Sequence, residues 1–156
     1  MRFVTLTASH SYCPATSPLY HMTDCEQPPD NTDLAIRVMA MPADTNSAGD
    51  IFGGWIMSQV DIAGSIIARR RTQGRVVTVT VNSFVFKQPV FVGDLISCYG
   101  EIIHVGRTSL TVHVRAFAER YGKHHECVQV TQADVTYVAV DDNRRPRPVP
   151  KEKQVP

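Results

Sequence analysis

The sequence predicts an α+β domain in which one long central helix is wrapped by an antiparallel β-sheet. Three observations predict this class: a single stretch with helical periodicity, strand-like runs on both sides of it, and short turns between the runs that follow it. A strand, a helix and then four strands joined by tight turns is not the alternation that parallel βαβ units require. The 156 residues of the chain have room for one such domain.

The chain divides into three parts by composition. Residues 1–33 are rich in Ser, Thr, Pro, Asp and Asn without a hydrophobic period, which predicts a flexible N-terminal arm. Within this arm Met22 is a candidate start, so we expect residues 1–21 to be dispensable. Residues 34–142 form the predicted folded domain, and the basic, proline-rich residues 143–156 predict an extended C-terminal tail.

The first half of the domain predicts a strand, a loop and the helix. LAIRVMAM (34–41) has a strand pattern, and PADTNSAGDIFGG (42–54) is a long loop full of turn residues. The helix is predicted from Gly53 to Arg71, with three arginines in its last turn, where cations suit the negative end of the dipole. Its apolar stripe consists of Ile56, Val60, Ala63 and Ile67. A helix this apolar should be central and mostly covered.

After Gly74 the sequence predicts only strands. They are RVVTVTVNSFVF, LISCYGEIIHV, RTSLTVHVRAF and CVQVTQADVTYVAV, all rich in β-branched and aromatic residues. Turn signals separate them, such as Val92-Gly93-Asp94 and Gly106. Apolar and polar residues alternate in the third run, which indicates a sheet with one buried face.

Charge and hydropathy exclude several classes of function. Sixteen Lys and Arg against fifteen Asp and Glu leave a net charge of +1, which argues against a nucleic-acid partner. No run is long enough and apolar enough to insert into a membrane, and the N-terminus lacks the apolar core of a secretory signal. We therefore expect a cytoplasmic protein.

The cysteines do not indicate a metal site. None of the four forms a CxxC pair, and two lie in strand runs, where cysteine behaves as a small apolar residue. A metal cluster in the arm is the alternative, but its spacing matches no standard zinc pattern, so no metal is expected. The residues of that cluster would be His10, Cys13, His21 and Cys25.

One charged residue, Asp61, interrupts the apolar part of the helix between residues 52 and 68. A buried carboxylate is costly unless it is paired, locally exposed or used in chemistry. At about 100° per residue, Asp61 lies about 20° from Gly54 around the helix axis, on a polar side that also carries Ser58 and Ser65. Periodicity alone leaves two interpretations open: a catalytic acid, or a structural one satisfied by hydroxyl groups or the adjacent strand.

The start of the helix is the second candidate feature. Gly53 and Gly54 allow close approach of the backbone, and the first N–H groups of a helix are unpaired and partly positive. Such donors can hold a carbonyl oxygen as it becomes an oxyanion. Asn46 and Asp50 lie just upstream, where a tight turn and its caps are the structural alternative. Together with Asp61, these residues supply an oxyanion site, a polar amide and a base.

The segment MPADTNSAGDIFGGWIMSQVDIAGSIIA resembles the signature of the YciA-type acyl-CoA thioester hydrolases. The resemblance continues through RVVTVTVNSFVFKQPVFVGDLISCYGEIIHVGRTSLTV and VTYVAVD, and covers about residues 34–150. It implies a hotdog fold, in which the sheet grips the helix and dimerisation joins two sheets into one, and a homohexamer built as a trimer of dimers. It also implies hydrolysis of fatty acyl-CoA in fatty acid metabolism, with no cofactor because coenzyme A is part of the substrate.

The resemblance also implies roles for particular residues. The family's catalytic aspartate corresponds to Asp61, its active-site asparagine to Asn46, and its oxyanion donors to Gly53 and Gly54. Asn46 and Asp61 are expected to meet across a protomer boundary, so that two chains share each site. Asp61 would act either as a general base on water or as a nucleophile, and the sequence does not distinguish these roles. Asn82 departs from the family, whose members commonly carry an acidic residue there.

Coenzyme A carries a pyrophosphate and a ribose phosphate, so cations are expected near the mouth of the site. For any single arginine, a solvated surface position is the alternative. The histidines at positions 104, 113, 124 and 125 lie on strands or in a loop without a nucleophile motif, and we expect them to be structural. The candidate coenzyme A contacts are Arg107, Thr108 and Ser109, which match a family segment, followed by Lys87, Arg75 and the basic tail from Arg144 to Lys153.

Two other functions are compatible with the predicted fold. A hydratase or dehydratase would need a histidine near the helix entrance, and the loop at 42–54 contains none. A non-catalytic acyl-CoA-binding or sensing domain would need the pocket but no base, and Asp61 argues against it.

Overall fold

The computed structural model describes residues 33–121 and 126–151. The predicted arm up to residue 32, with its candidate metal cluster, lies outside these ranges. No helix within them is long and apolar enough to cross a membrane. The elements are β1 (Asp33–Met39), a 3₁₀ turn (Pro42–Asp44), α1 (Gly53–Thr72), β2 (Val76–Phe86), β3 (Leu95–Val105), β4 (Ser109–Arg120) and β5 (Glu126–Ala139).

The five strands form one sheet with the order β1-β3-β4-β5-β2, and every neighbouring pair is antiparallel. β1 and β2 therefore lie at opposite edges, and α1 connects them by crossing one face of the sheet. This arrangement confirms the predicted α+β class and its order of elements. The boundaries of β3 agree with the sequence prediction because turn residues lie directly before and after it.

The core lies between α1 and one face of the sheet. The predicted stripe on the helix is buried, and so are the alternate residues of β4 and β5 that face it. By contrast, Met57 and Ile62 on the other side of α1 are nearly half exposed. Within one chain the helix is thus covered on one side only, because a single sheet cannot surround it. The buried residues facing each other are Ile56, Val60, Ala63 and Ile67 from α1, Leu110, Val112 and Val114 from β4, and Ala133, Val135 and Tyr137 from β5.

The segment after β5 is laid across the C-terminal end of α1. The Arg147 guanidinium donates to the Thr72 carbonyl oxygen at 2.8 Å and to the Val140 carbonyl oxygen at 3.2 Å. Arg71 donates to the Pro150 carbonyl oxygen at 2.7 Å. Carbonyl groups in the last turn of a helix lack partners within the helix, and arginine side chains supply them. The segment predicted as a tail is therefore docked as far as it is described.

Candidate active site

The Asp61 carboxylate is half-buried on the side of α1 that faces β2 and β5. The Thr78 hydroxyl donates to its Oδ1 at 2.7 Å. The Tyr137 hydroxyl donates to the Asp61 carbonyl oxygen at 2.9 Å and lies 3.3 Å from Oδ1. Among the described residues, all hydrogen bonds on this carboxylate fall on Oδ1. Oδ2 is thus the oxygen available to a substrate or a water molecule.

Sequence reasoning did not identify either of these partners. Thr78 and Tyr137 are directly opposite one another in the β2–β5 pair. The alternation of β5 carried a signal for Tyr137, because its neighbours on the buried face are apolar and a buried tyrosine hydroxyl needs a partner. β2 carried no such signal, since valine and threonine occupy both of its faces and its register shifts between Thr78 and Thr80.

The two serines on the polar side of the helix donate their hydroxyl hydrogen bonds to backbone groups and not to Asp61. The Ser58 hydroxyl donates to the Trp55 carbonyl oxygen at 2.7 Å, and the Ser65 hydroxyl to the Ile62 carbonyl oxygen at 2.8 Å. Serine in a helix commonly bonds back to the preceding turn in this way. The hydroxyl groups that satisfy Asp61 come from the sheet instead.

The start of α1 presents unpaired donors. Phe52 precedes the helix in extended conformation and its side chain makes no capping hydrogen bond. The Phe52 carbonyl oxygen accepts from Trp55 N at 2.9 Å. In the described part of the chain, neither the Gly53 nor the Gly54 N–H donates to a protein acceptor. Both N–H groups are thus available to a carbonyl oxygen at the positive end of the helix dipole.

Asn46 braces the loop that leads to the helix. Its side-chain oxygen accepts from the backbone N–H groups of Ala48 at 2.8 Å and Asp50 at 3.2 Å. Its backbone N–H donates to the Asp50 carbonyl oxygen at 2.7 Å. This is the turn-capping role that the sequence offered as the structural alternative. It occupies Oδ1 and leaves the Nδ2 amide group as a donor.

An apolar pocket of about 260 Å³ opens beside the helix start. Lys87 lies at its rim, and its ammonium group donates to Gln129 Oε1 at 2.6 Å. Gly53 brings the backbone close to the Phe86 ring, since a Cβ there would lie 3.3 Å from the ring. The lining residues are Ile51, Gly53, Ile56, Phe86, Lys87, Gln88, Pro89, Val90 and Val130.

One chain does not bring all predicted catalytic residues together. Gly53 and Asp61 are eight residues apart on one helix, which separates them by about 12 Å along the axis. A group acting on a thioester carbon and a donor to its oxygen must lie within a few ångströms of each other. The two glycines and the loop that carries Asn46 thus lie at the start of α1, whereas Asp61 and Thr78 lie near its middle.

The predicted coenzyme A contacts also divide into two groups. The carbonyl oxygens of Arg107 and Thr108 accept from Val149 N at 2.9 Å and Ala139 N at 2.8 Å. The Arg75 carbonyl oxygen accepts from Val140 N, the residue after Ala139, at 3.0 Å. Arg75 and the turn that contains Arg107, Thr108 and Ser109 therefore lie near the C-terminal end of α1. Lys87 lies at the opposite end, beside the pocket.

Two further titratable groups, His113 and Cys98, belong to the sheet and not to the candidate site. His113 Nδ1 lies 2.6 Å from Asp134 Oδ1 on the face of the sheet turned away from α1. Burial raises the pKa of Cys98 to about 12, which keeps this thiol protonated and unreactive. Within the described ranges, no three His, Cys, Asp or Glu side chains are grouped to hold a metal ion. His124 and His125 lie outside those ranges.

Comparison with known proteins places the chain in a family. Residues 48–123 match the model of the thioesterase superfamily. The acyl-CoA thioester hydrolase YciA of Salmonella typhimurium is 44% identical over 126 residues, which cover 78% of this chain and 95% of that protein.

Solved structures of thioesterases are similar in fold as well as in sequence. A hexameric hotdog-fold thioesterase of Campylobacter jejuni is 46% identical, with a TM-score of 0.74 over 76% of this chain and 91% of that one. A hexameric thioesterase from Yersinia pestis is 47% identical, with a TM-score of 0.74 over 78% of this chain and 98% of that one. With this identity and coverage, the chain belongs to the hotdog-fold family of YciA-type acyl-CoA thioester hydrolases.

Proposed function

We propose that this protein hydrolyses fatty acyl-CoA thioesters to a free acid and coenzyme A, in a site shared by two copies of the chain. The observation that carries this proposal is the Asp61 carboxylate, which is held through Oδ1 by Thr78 and has Oδ2 available. It lies on an apolar helix whose start presents two unpaired N–H groups. A base and an oxyanion site are the two elements that thioester hydrolysis needs.

The edge strand β2 supports a shared site. Its apolar side chains are exposed, with Val79 and Phe86 each 54% accessible. A two-fold axis through the middle of β2 would pair this strand with its copy and bring the first half of one strand beside the second half of the other. The first half carries Thr78, next to Asp61, and the second half carries Phe86, next to Gly53. Asp61 of one chain would then approach the helix start and Asn46 of its copy.

In the proposed reaction, the thioester oxygen accepts hydrogen bonds from the N–H groups of Gly53 and Gly54. Asp61 Oδ2 takes a proton from water as the water oxygen bonds to the thioester carbon, while the Asn46 amide orients the water or the carbonyl. The tetrahedral intermediate then loses the coenzyme A thiolate, which takes the proton from Asp61 to become the thiol and restores the carboxylate. The reaction uses no cofactor or metal.

The positions of the pocket and of the basic groups suggest how the substrate binds. The apolar pocket beside Gly53 fits the hydrocarbon of an acyl group. Arg107 is exposed, and Thr108 and Ser109 beside it are half-buried, which suits this turn to phosphate groups; Arg75 is nearby, and Lys87 lies at the pocket rim. Six chains, assembled as three such dimers, are the state that we expect, since thioesterases of similar sequence are described as hexameric.

A free-thiol assay with acyl-CoA substrates of several chain lengths tests this function. Release of coenzyme A thiol in proportion to free acid is the expected result. Binding of acyl-CoA without thiol release would instead identify a sensing domain and overturn the proposal.

A single turnover in heavy-oxygen water distinguishes the two roles open to Asp61. As a general base, Asp61 remains unlabelled, and the heavy oxygen enters only the released acid. As a nucleophile, it forms an anhydride with the acyl group and expels the coenzyme A thiolate; attack of heavy-oxygen water on the Asp61 carbon of the anhydride then leaves the label in the carboxylate, so a labelled Asp61 identifies this role. Mass spectrometry of the peptide that contains Asp61 measures the heavy oxygen in its carboxylate.

A further inference from the structure

The Tyr137 hydroxyl, which the proposed chemistry does not use, lies in an unusual place for a tyrosine. Its side chain is fully buried on the face of β5 that packs against α1. The other residues of β5 on this face are small or apolar. Removing a hydroxyl group from water costs free energy unless it finds a partner. The Tyr137 hydroxyl finds one in Asp61.

The hydrogen bonds of Tyr137 hold Asp61 at two points. The hydroxyl donates to the Asp61 carbonyl oxygen at 2.9 Å and lies within reach of Oδ1 at 3.3 Å. Thr78, its direct neighbour in β2, donates to the same Oδ1 at 2.7 Å. Backbone and side chain of Asp61 are thus tied to one pair of strands, and the rotation of the carboxylate is restricted.

Gly64 makes this approach possible. It lies three residues after Asp61 in α1 and is buried against Tyr137. A Cβ at this position would overlap the Tyr137 hydroxyl and would lie 3.1 Å from two carbon atoms of the ring. The helix therefore carries a glycine, at a cost in helix propensity, where the tyrosine comes closest.

We propose that Tyr137 is a positioning residue for Asp61: together with Thr78 it fixes Oδ1 and presents Oδ2 to the substrate. This inference rests on the proposed role of Asp61. Burial and the nearby Asp61 charge raise the pKa of Tyr137 far above its ordinary value, so its hydroxyl stays a donor at any working pH. Tyr137 contacts no substrate in this role and acts only through Asp61.

The test is the Tyr137→Phe substitution, which removes only the hydroxyl group. We expect kcat to fall about tenfold or more with KM within twofold, since a hydrogen bond to a charged group is lost and substrate contacts are not. Tyr99→Phe is the matched control, because Tyr99 lies on the opposite face of the sheet, against Phe117. Its kinetic constants should not change.

Thr78→Val provides a second, independent variant at an exposed position, for use also if Tyr137→Phe does not fold. It should lower kcat with KM unchanged, and the double variant should fall further than either single one. If the folded single variants keep kcat within twofold while Asp61→Asn is inactive, the positioning role of Tyr137 is overturned. The proposed function is not affected by that result. A raised KM with normal kcat would also overturn the positioning role, since it would indicate a substrate contact. Normal turnover by Asp61→Asn would overturn the proposed role of Asp61 together with this inference, whereas absence of thiol release by the unchanged chain would overturn the proposed function.

Discussion

The Thr78 hydroxyl lies 2.7 Å from Oδ1 of Asp61 and joins the edge strand of the sheet to the middle of the helix. Since β2 is the edge at which we propose that a second copy pairs, the carboxylate is held beside that interface. Anything that changes the pairing of β2 should therefore also change the position of the base. Substitutions at Asp61 test both the chemistry and the assembly.

Asp61→Asn should retain the fold and lose nearly all turnover. The amide has the same shape and its oxygen can still accept from Thr78, so packing should survive, whereas the base is gone. Loss of a general base typically costs about 10²–10⁴ in rate. Steady-state thiol release and thermal melting measure the two effects, and activity within a few-fold of the unchanged chain would remove Asp61 from the mechanism.

Mixed assemblies test whether two chains share each site. Asn46→Ala and Asp61→Asn should each be poorly active alone. In a heterodimer of the two, one site collects both defects and the other has neither, so mixing should restore up to about half of the sites of each heterodimer. Co-refolding, followed by thiol-release assays and mass spectrometry of the assemblies, provides the measurement.

The matched control for this experiment carries both substitutions in one chain and is mixed with the unchanged chain. If sites are shared, every site of that heterodimer has one defect, and the heterodimer contributes almost no activity to the mixture. If each chain builds its own site, the unchanged chain keeps its full activity and the first mixture shows no rescue. The two mixtures thus give opposite results under the two arrangements.

Arg107→Ala should raise KM more than it lowers kcat, because phosphate contacts hold the ground state and transition state alike. The effect should be small for a pantetheine thioester, which lacks the nucleotide phosphates. Arg70→Ala, at an exposed position of the same end of α1, should leave both substrates unaffected. Equal damage on both substrates would place Arg107 outside the coenzyme A contacts.

Arg147→Ala should lower the free energy of unfolding by about 1.5–3 kcal/mol, the usual range for hydrogen bonds to charged groups. This guanidinium joins Thr72 at the end of α1 to Val140 after β5. Arg145→Ala is the control. The Arg145 side chain is exposed and makes neither of these contacts, so this substitution removes one nearby positive charge and nothing else. Urea denaturation compares the two, and equal stabilities would show that the docked segment does not hold the helix end.

The stability of the fold should decrease in alkaline solution through Cys98. Burial raises the pKa of its thiol from 9.0 to about 12. Between these values the unfolded chain loses the proton and the folded chain keeps it, so the free energy of unfolding falls by about 1.4 kcal/mol per pH unit. Chemical denaturation from pH 8 to 11 should show a shallower fall for Cys98→Ala, and identical slopes would contradict the prediction.

The sequence was sufficient for the elements of the fold and insufficient for the contacts of the base. The limits of α1 and β3 followed from local signals, glycines and turn residues beside strongly periodic segments. Thr78 and Tyr137 reach Asp61 through the pairing of two strands that are distant in sequence, and no local pattern encodes that register. The docking of the last segment depends on Arg147 reaching the Thr72 carbonyl oxygen and on Arg71 reaching the Pro150 carbonyl oxygen, which proline-rich composition does not reveal.

The exposed edge of β2 has a consequence for how such an enzyme behaves on dilution. If each active site needs residues from two chains, the specific activity depends on protein concentration and falls when the chains dissociate. Dissociation of one dimer then inactivates both of its sites. The lowest concentration at which the protein works would then be set by the pairing of β2 and not by its affinity for substrate. Side chains such as Val79 and Val81, which contribute no catalytic group, would in this way set the enzyme concentration that a cell must maintain.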